Sequence, residues 1–254
     1  MQDRLKNKAI IIIGSGSGIG AATAYRLASE GARLCCTDIN EAGAIRVATE
    51  ITRKGGEAFA IPIDIADEGS VNKAIAAAVK KLGRLDGAHV NAADLRTIMR
   101  DSDALAVELE DFDRTFLVNL RGHLLCTRAV LPHLLNAGGG AIVYTSSASA
   151  DLGEPVRPSY GASKSGLNAL MRHVASRWGR EGITSNCVSP GVTITPEMME
   201  NLPKELIETT LARTPNRRLG KGEDIAGVVA MLLSNDGQWI NGQVYHVNGG
   251  VLMH

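Results

Sequence analysis

The chain has 254 residues, 27 lysines and arginines against 27 acidic residues, and 44% hydrophobic side chains, a composition too apolar for disorder. A globule of this length buries roughly 70–75% of its unfolded surface and needs no disulfide or metal to hold a core, while zero net charge excludes a whole-protein field that would recruit nucleic acid or an anionic membrane. Its early apolar run, Ala9–Ile13, is far too short for a membrane span and lacks the pattern of a secretory leader, so a cytoplasmic protein is expected.

In chain order, Lys8–Ile13 reads as a strand buried on both faces, followed by a glycine-rich turn and a helix over Ile19–Glu30. Arg33–Thr37 is the second strand and Glu41–Lys54 a helix ended by Gly55-Gly56. Ala58–Ile63 and Glu68–Leu82 repeat the pattern, Leu85–Val90 is a fourth strand, and Asp111–Leu135 carries a long helix. Ala141–Thr145, a helix over Tyr160–Arg180, strand Thr184–Val188, helix Asp224–Leu233 and strand Gln243–Val247 complete the series. Strands alternating with helices on short connections predict an α/β fold: a doubly wound, Rossmann-type, seven-stranded parallel sheet with helices on both faces. One domain over residues 1–254 is the economical organisation, with Val192–Pro215 as a lid segment of one or two short helices.

The four cysteines form no CxxC pair, and neighbours Cys35 and Cys36 must point to opposite faces of a strand, so buried thiols in a reducing compartment are expected. Six scattered histidines without an HExxH pattern predict no metal site.

The first strand runs into Gly14-Ser-Gly-Ser-Gly18-Ile-Gly20. Between a buried strand and an amphipathic helix, such a turn lets a pyrophosphate approach the backbone and meet free N–H groups at a helix start. Asp38 ends the second strand eighteen residues after Gly20, where a carboxylate accepts from ribose hydroxyls and repels a 2′-phosphate. No lysine or arginine lies in the turn or beside Asp38 in sequence, which favours NAD over NADP. The alternative is that Asp38 simply caps the next helix.

Tyr160-Gly-Ala-Ser-Lys164 puts a phenol and an ammonium on one helix face. A tyrosine of pKa ~10 is a poor base at neutral pH, but a nearby cation stabilises its phenolate. By itself such a pair is more often a solvated helix face. Here Thr145-Ser146-Ser147 ends the preceding strand, and ligands of doubly wound sheets bind beyond the strands' carboxyl ends.

Taken together these motifs resemble the short-chain dehydrogenase/reductase family, over essentially the whole chain from Lys6 to Gly250. Gly14-x-x-x-Gly18-Ile-Gly20 is similar to that family's cofactor turn, Asp64-Ile65 to its adenine contact, and Val90-Asn91-Ala92-Ala93 to the element ending its fourth strand. Asn119, Ser147, Tyr160 and Lys164 match its catalytic tetrad, with Ser147 thirteen residues before Tyr160. Pro190-Gly191-Val192 with Thr195 matches the segment that holds the nicotinamide carboxamide. The resemblance implies Tyr160 as acid/base and Lys164 on the nicotinamide ribose. It also implies Ser147 on the substrate oxygen, and Asn119 holding a water that links Lys164 to solvent. Cofactor contacts implied for NAD are Gly14, Ser17, Gly18, Ile19, Gly20, Asp38, Asp64, Ile65, Asn91, Tyr160, Lys164, Pro190, Gly191, Val192 and Thr195. It further implies a homo-oligomer, commonly a tetramer, pairing helices 111–135 and 160–180 about a twofold axis. Three positions depart from the pattern. Ile13 replaces a threonine that ties the turn to strand four, Val90 an asparagine, and Ala93 a glycine.

The substrate is expected to be a small molecule, lined by Asp94, Arg96, Ser149, Gly153, Glu154, Arg157, Met198 and Met199. The two methionines suit an apolar wall or, equally, the lid's own core. Arg96 or Arg157 offers a partner for a substrate carboxylate or phosphate, although arginines near loops are more often solvated. NAD-linked oxidation of a secondary alcohol or cyclic diol leads. A keto-reductase of acyl thioesters and a non-catalytic dinucleotide-binding protein are the competing readings.

Overall fold

The structure, a computed structural model, describes residues 3–195 and 204–253. Seven parallel strands form one sheet in the order β3-β2-β1-β4-β5-β6-β7. They are β1 (Ala9–Ile13), β2 (Arg33–Asp38), β3 (Glu57–Pro62), β4 (Gly87–Val90), β5 (Gly140–Thr145), β6 (Ile183–Pro190) and β7 (Val244–Val247). The helices are α1 (Gly18–Ser29), α2 (Glu41–Arg53), α3 (Glu68–Leu82), α4 (Leu109–Phe116), α5 (His123–Asn136), α6 (Pro158–Trp178), α7 (Lys204–Ala212) and α8 (Gly222–Leu233). The chain winds outward in both directions from β1 and β4, which opens a crevice at their carboxyl ends.

The period-two rule divides the sheet between two cores. Ile11 and Ile13 of β1 pack with Val71 and Ile75 of α3, Val130 of α5 and Leu167 of α6. Ile10 and Ile12 point the other way, with Leu27 of α1, Val47 of α2 and Val229 of α8. Burying each such aliphatic side chain contributes about 1.5–3 kcal/mol. Cys35 and Cys36 fall one in each core, and all four cysteines are free and buried. Among the described residues no helix is long and apolar enough to cross a membrane.

The structure differs from the sequence reading at two places, of which the first bears on the crevice. The helix expected over 111–135 runs from 109 to 136, but Leu117–Gly122 is a π-helical turn. One extra residue in a turn leaves little mark on a 3.6-residue apolar pattern, and such turns recur at functional positions. Asn119 lies in it, fully buried. The strand expected from Leu85 begins at Gly87, because the Asp86 carboxylate, and not a ladder bond, takes the Ala9 N–H at 2.8 Å.

Candidate active site

At the end of β1 the backbone turns through Gly14 at φ 89°, with no room for a side chain. A Cβ there would lie 2.6 Å from the Ala92 backbone, and one on Gly20 would lie 1.8 Å from Gly14 O. These two glycines bring α1 against β1 and β4. Ser17, exposed, is the N-cap of α1 but makes no side-chain cap, and the first turn carries no acidic residue. The amides opening the helix at half-buried Gly18 and Ile19 therefore have no acidic side chain of the first turn competing for them, which suits a helix start to an anion. Thr195 lies alongside, its methyl 3.6 Å from where a Gly18 Cβ would stand.

Asp38 reaches back to this turn. Gly16 N–H donates to its Oδ2 at 2.7 Å and Asn40 N–H to its Oδ1 at 2.8 Å. Asn40, not Asp38, caps α2, accepting from Gly43 N–H. The carboxylate holds further acceptor capacity for ribose hydroxyls. Arg46 of α2 donates to Gly16 O at 2.9 Å, so a cation does stand beside the turn although none is adjacent in sequence. Asp64 accepts from Ala66 N–H, whereas Ile65 turns inward and packs under Gly122 of the π turn.

The tie between the turn and the middle of the sheet runs through Asn91. Its Nδ2 donates to Gly14 O at 2.8 Å, and its Oδ1 accepts from the Thr145 hydroxyl at 2.9 Å. That hydroxyl has one hydrogen, so the 2.9 Å bond to buried His89 requires Nε2–H to donate. Burial pushes the His89 pKa down to about 3, which keeps the ring neutral in this tautomer. Ile13 and Val90 are register partners, fully buried in the same core. An apolar pair thus stands where the resemblance leads one to expect threonine and asparagine.

The same threonine anchors the reactive pair. Lys164 Nζ, fully buried, donates to Thr145 O at 2.8 Å and lies 5.8 Å from the centre of the Tyr160 ring. Burial lowers the lysine pKa to about 8. Burial also raises the Tyr160 pKa, opposed by a hydrogen bond with Ser147 and by the charge of Arg157. In the protein alone desolvation thus outweighs the groups that favour this phenolate. Ser147 caps a short 3-10 turn, Ala148–Ala150, by accepting from Ser149 N–H. Asn119 Oδ1 accepts from Asp94 N–H at 2.9 Å, and its buried Nδ2 has no partner, a free donor.

Pro190 ends β6, Gly191 N–H donates to Val247 O, and Val192 is half exposed. The segment expected to act as a lid is tied to the body where Thr193 bridges Gly220, and its described helix is α7; Met198 and Met199 lie outside the described residues. The two candidate anion-binding arginines already have carboxylates. Arg96 chelates Asp94, which Arg114 also holds, and Arg157 pairs with Glu154 at 2.9 Å. Glu154 also accepts from the Ser149 hydroxyl at 3.2 Å, while Gly153 is exposed.

Sequence reasoning passed over Arg46, His89 and Asp101, the last of which accepts from the Tyr160 N–H. Thr145 was singled out with Ser146 and Ser147 by its place at a strand end, but not as the anchor of Asn91 and Lys164. The gathered groups fit a nicotinamide dinucleotide. They comprise a cradle that a Cβ would fill, an uncapped helix start, a carboxylate beside the glycine turn, and a buried ammonium beside a phenol.

Comparison with known proteins agrees. A family model described as enoyl-(acyl carrier protein) reductase matches residues 13–252. A probable short-chain type dehydrogenase/reductase of Bradyrhizobium diazoefficiens is 38% identical over 99% of this chain and 89% of its own length. The 7α-hydroxysteroid dehydrogenase of Bacteroides fragilis is 31% identical over 99% and 97%. A solved structure of a 7α-hydroxysteroid dehydrogenase complexed with NADH and 7-oxoglycochenodeoxycholic acid superposes with a TM-score of 0.91 at 32% identity, covering 97% of this chain and 95% of that one. With its sheet order, its glycine turn and these relatives, the chain belongs to the short-chain dehydrogenase/reductase family of oxidoreductases.

Proposed function

We propose that the protein is an NAD(H)-linked dehydrogenase that interconverts a secondary alcohol, cyclic ones included, and its ketone. The observation that carries this reading is the convergence on Thr145: its carbonyl holds the Lys164 ammonium and its hydroxyl holds Asn91, which holds the glycine turn. One residue thus sets the distance between the cofactor cradle and the Tyr160 phenol.

Bound in the crevice, the nicotinamide supplies the hydride chemistry; the protein binds, orients and moves the proton. Tyr160 takes the hydroxyl proton in oxidation and returns it in reduction, and Ser147 steadies the substrate oxygen. Lys164 holds the nicotinamide ribose, and its charge joins that of the oxidised ring in favouring phenolate. The free Asn119 donor suits a water on the path from Lys164 to solvent. Gly14, Ser17, Gly18, Ile19 and Gly20 face the pyrophosphate, Asp38 the ribose, Asp64 and the backbone of Ile65 the adenine, and Asn91 supports the turn. Pro190, Gly191, Val192 and Thr195 receive the carboxamide.

Residues 1–254 act as one domain in this reading, with 192–215 closing over the substrate. An apolar groove of about 580 Å³ along Phe116, Leu117, Leu120, Leu124 and Leu170 suits the paired helices of a homo-oligomer, and a monomer by light scattering would sink that part. The test of function is a fluorescence titration with NADH and NADPH, followed by turnover of a panel of secondary and cyclic alcohols with NAD. Preference for NADH and oxidation of any panel member are expected. Tighter NADPH binding would assign Arg46, not Asp38, the deciding role at the ribose and move keto-reduction to the front.

A further inference from the structure

The helix that carries Tyr160 and Lys164 starts without a cap of its own. Arg157 precedes it in the left-handed region, at φ 68°, and its side chain caps nothing. Pro158 has no N–H, and Gly161 N–H donates to Arg157 O at 3.0 Å. The remaining two amides of the first turn go to a single remote carboxylate. Ser159 N–H donates to Asp101 Oδ1 at 3.3 Å, and Tyr160 N–H to Asp101 Oδ2 at 2.9 Å. The Ser159 hydroxyl adds a third bond to Oδ1 at 2.8 Å. Asp101 is only 3% exposed, and its carbonyl and that of Ser102 both take the Arg157 N–H, at 2.9 and 2.8 Å. The left-handed residue and the first helical turn rest together on residues 101 and 102.

Asp101 ends a strap pinned along its length to the other side of the crevice. Asp94 N–H donates to Asn119 Oδ1, Thr97 and Thr115 share a hydroxyl bond at 3.0 Å, and Arg100 clasps Asp111 with two bonds of 2.9 and 2.6 Å. A helix start that needed only stability would have its acceptor at the N-cap itself. Here the acceptor comes from 59 residues away and lands on the amide of the tyrosine itself.

We propose that Asp101 is a positioning residue for Tyr160: through three hydrogen bonds it fixes the first turn of α6, and with it the phenol, against the strap that is anchored at Asn119. The inference rests on reading Tyr160 as the acid/base. The other charged groups facing the phenol are Lys164 on its own helix and Arg157 and Glu154 in the loop before it.

Asp101→Ala and Asp101→Asn test it, with three measurements on each. These are turnover of the best alcohol in the panel, NADH affinity by fluorescence, and the Tyr160 titration. The last is read as phenolate ultraviolet absorbance against the same variant carrying Tyr160→Phe. Expected are a kcat at least tenfold lower, KM and NADH Kd within threefold of the parent, and a Tyr160 midpoint displaced from the parent's, since the phenol has lost its fixed place beside Ser147 and Lys164. Folded variants with parental kcat and parental midpoint, even at a lower Tm, would reduce Asp101 to a remote helix cap and overturn the proposal. If the parent turns over no alcohol, the dehydrogenase reading fails while the midpoint still decides on Asp101. Should Asp101→Ala not fold, Asp101→Asn keeps the volume and one acceptor oxygen and is judged by the same criteria.

Discussion

Around the glycine turn, the crevice is fastened mostly by backbone and by short polar side chains at strand ends. Gly14 seats against Ala92, Gly16 N–H donates to Asp38, and Asn91 donates to Gly14 O. Across the crevice, the strap from Asp94 to Asp101 is fastened by long charged side chains: Arg96 and Arg114 on Asp94, Arg100 on Asp111. The first kind of joint tolerates almost no change of shape, because a Cβ meets backbone atoms at once. The second can be refitted by exchanging side chains on an exposed surface. The contrast teaches where the family's variety has room. In the proposed reading cofactor recognition falls in the rigid half, and on the strap only the exposed arginines, not buried Asp94 and Asp101, have that latitude.

Four measurements break or sharpen this contrast. The largest effect belongs to Tyr160→Phe, which removes the proton carrier from the meeting point of both halves. Turnover is expected to fall about a hundredfold to ten-thousandfold while NADH still binds within threefold, and undiminished turnover would refute the proposed chemistry. Gly14→Ala comes next. At φ 89° and 2.6 Å from the Ala92 backbone, the new methyl group strains the turn by roughly 1–3 kcal/mol. A lower Tm together with at least tenfold weaker NADH binding is expected; parental binding would show the turn to be softer than argued.

Asp38→Ala sharpens the comparison within the rigid half. With the carboxylate gone and Arg46 still beside the turn, the NADH-to-NADPH affinity ratio should move toward NADPH by about tenfold, some 1.4 kcal/mol. An unchanged ratio would separate Asp38 from the ribose. The smallest effect is a slope. Lys164 has a folded pKa of about 8 against an ordinary 10.5, so between those values the unfolded chain binds more protons than the folded one. Stability should therefore rise with pH through this window and be lost as pH falls toward 8. Denaturant unfolding of Lys164→Met at several pH values should lack that rise, and a retained slope would place its origin elsewhere.

Much of the rigid half was legible in the sequence because its parts are contiguous or evenly spaced. A buried strand, a glycine turn and a helix follow one another directly, and Asp38 stands one strand further on. Tyr160 and Lys164 were legible for the same reason, being one helical turn apart. The fold followed from the alternation of apolar runs with amphipathic segments, down to the opposite faces of Cys35 and Cys36. What escaped reading depends on contacts between distant segments. Arg46 meets Gly16 across thirty residues, and Asp101 meets Tyr160 across 59. Nothing in an Asp-Ser-Asp stretch marks which carboxylate turns inward. The π turn escaped because its one extra residue leaves the apolar pattern of 109–136 nearly intact. The pairing of Arg96 and Arg157 with neighbouring carboxylates also reads differently in three dimensions: both are neutralised from within, and neither is an unpaired cation offered to a substrate.

The buried Ile13–Val90 contact has a consequence for how such a chain changes over generations. If its ancestor carried the threonine and asparagine of the family pattern at these places, either replacement alone would have left one polar group facing an aliphatic neighbour. Burying an unmatched hydroxyl or amide costs about 1–3 kcal/mol, whereas exchanging both partners for apolar groups is nearly neutral. The two positions therefore form an epistatic unit, in which each residue is acceptable only in the presence of the other. The hydrogen-bonded route from the turn to β5 through Asn91 and Thr145 holds the turn without any polar group at either place.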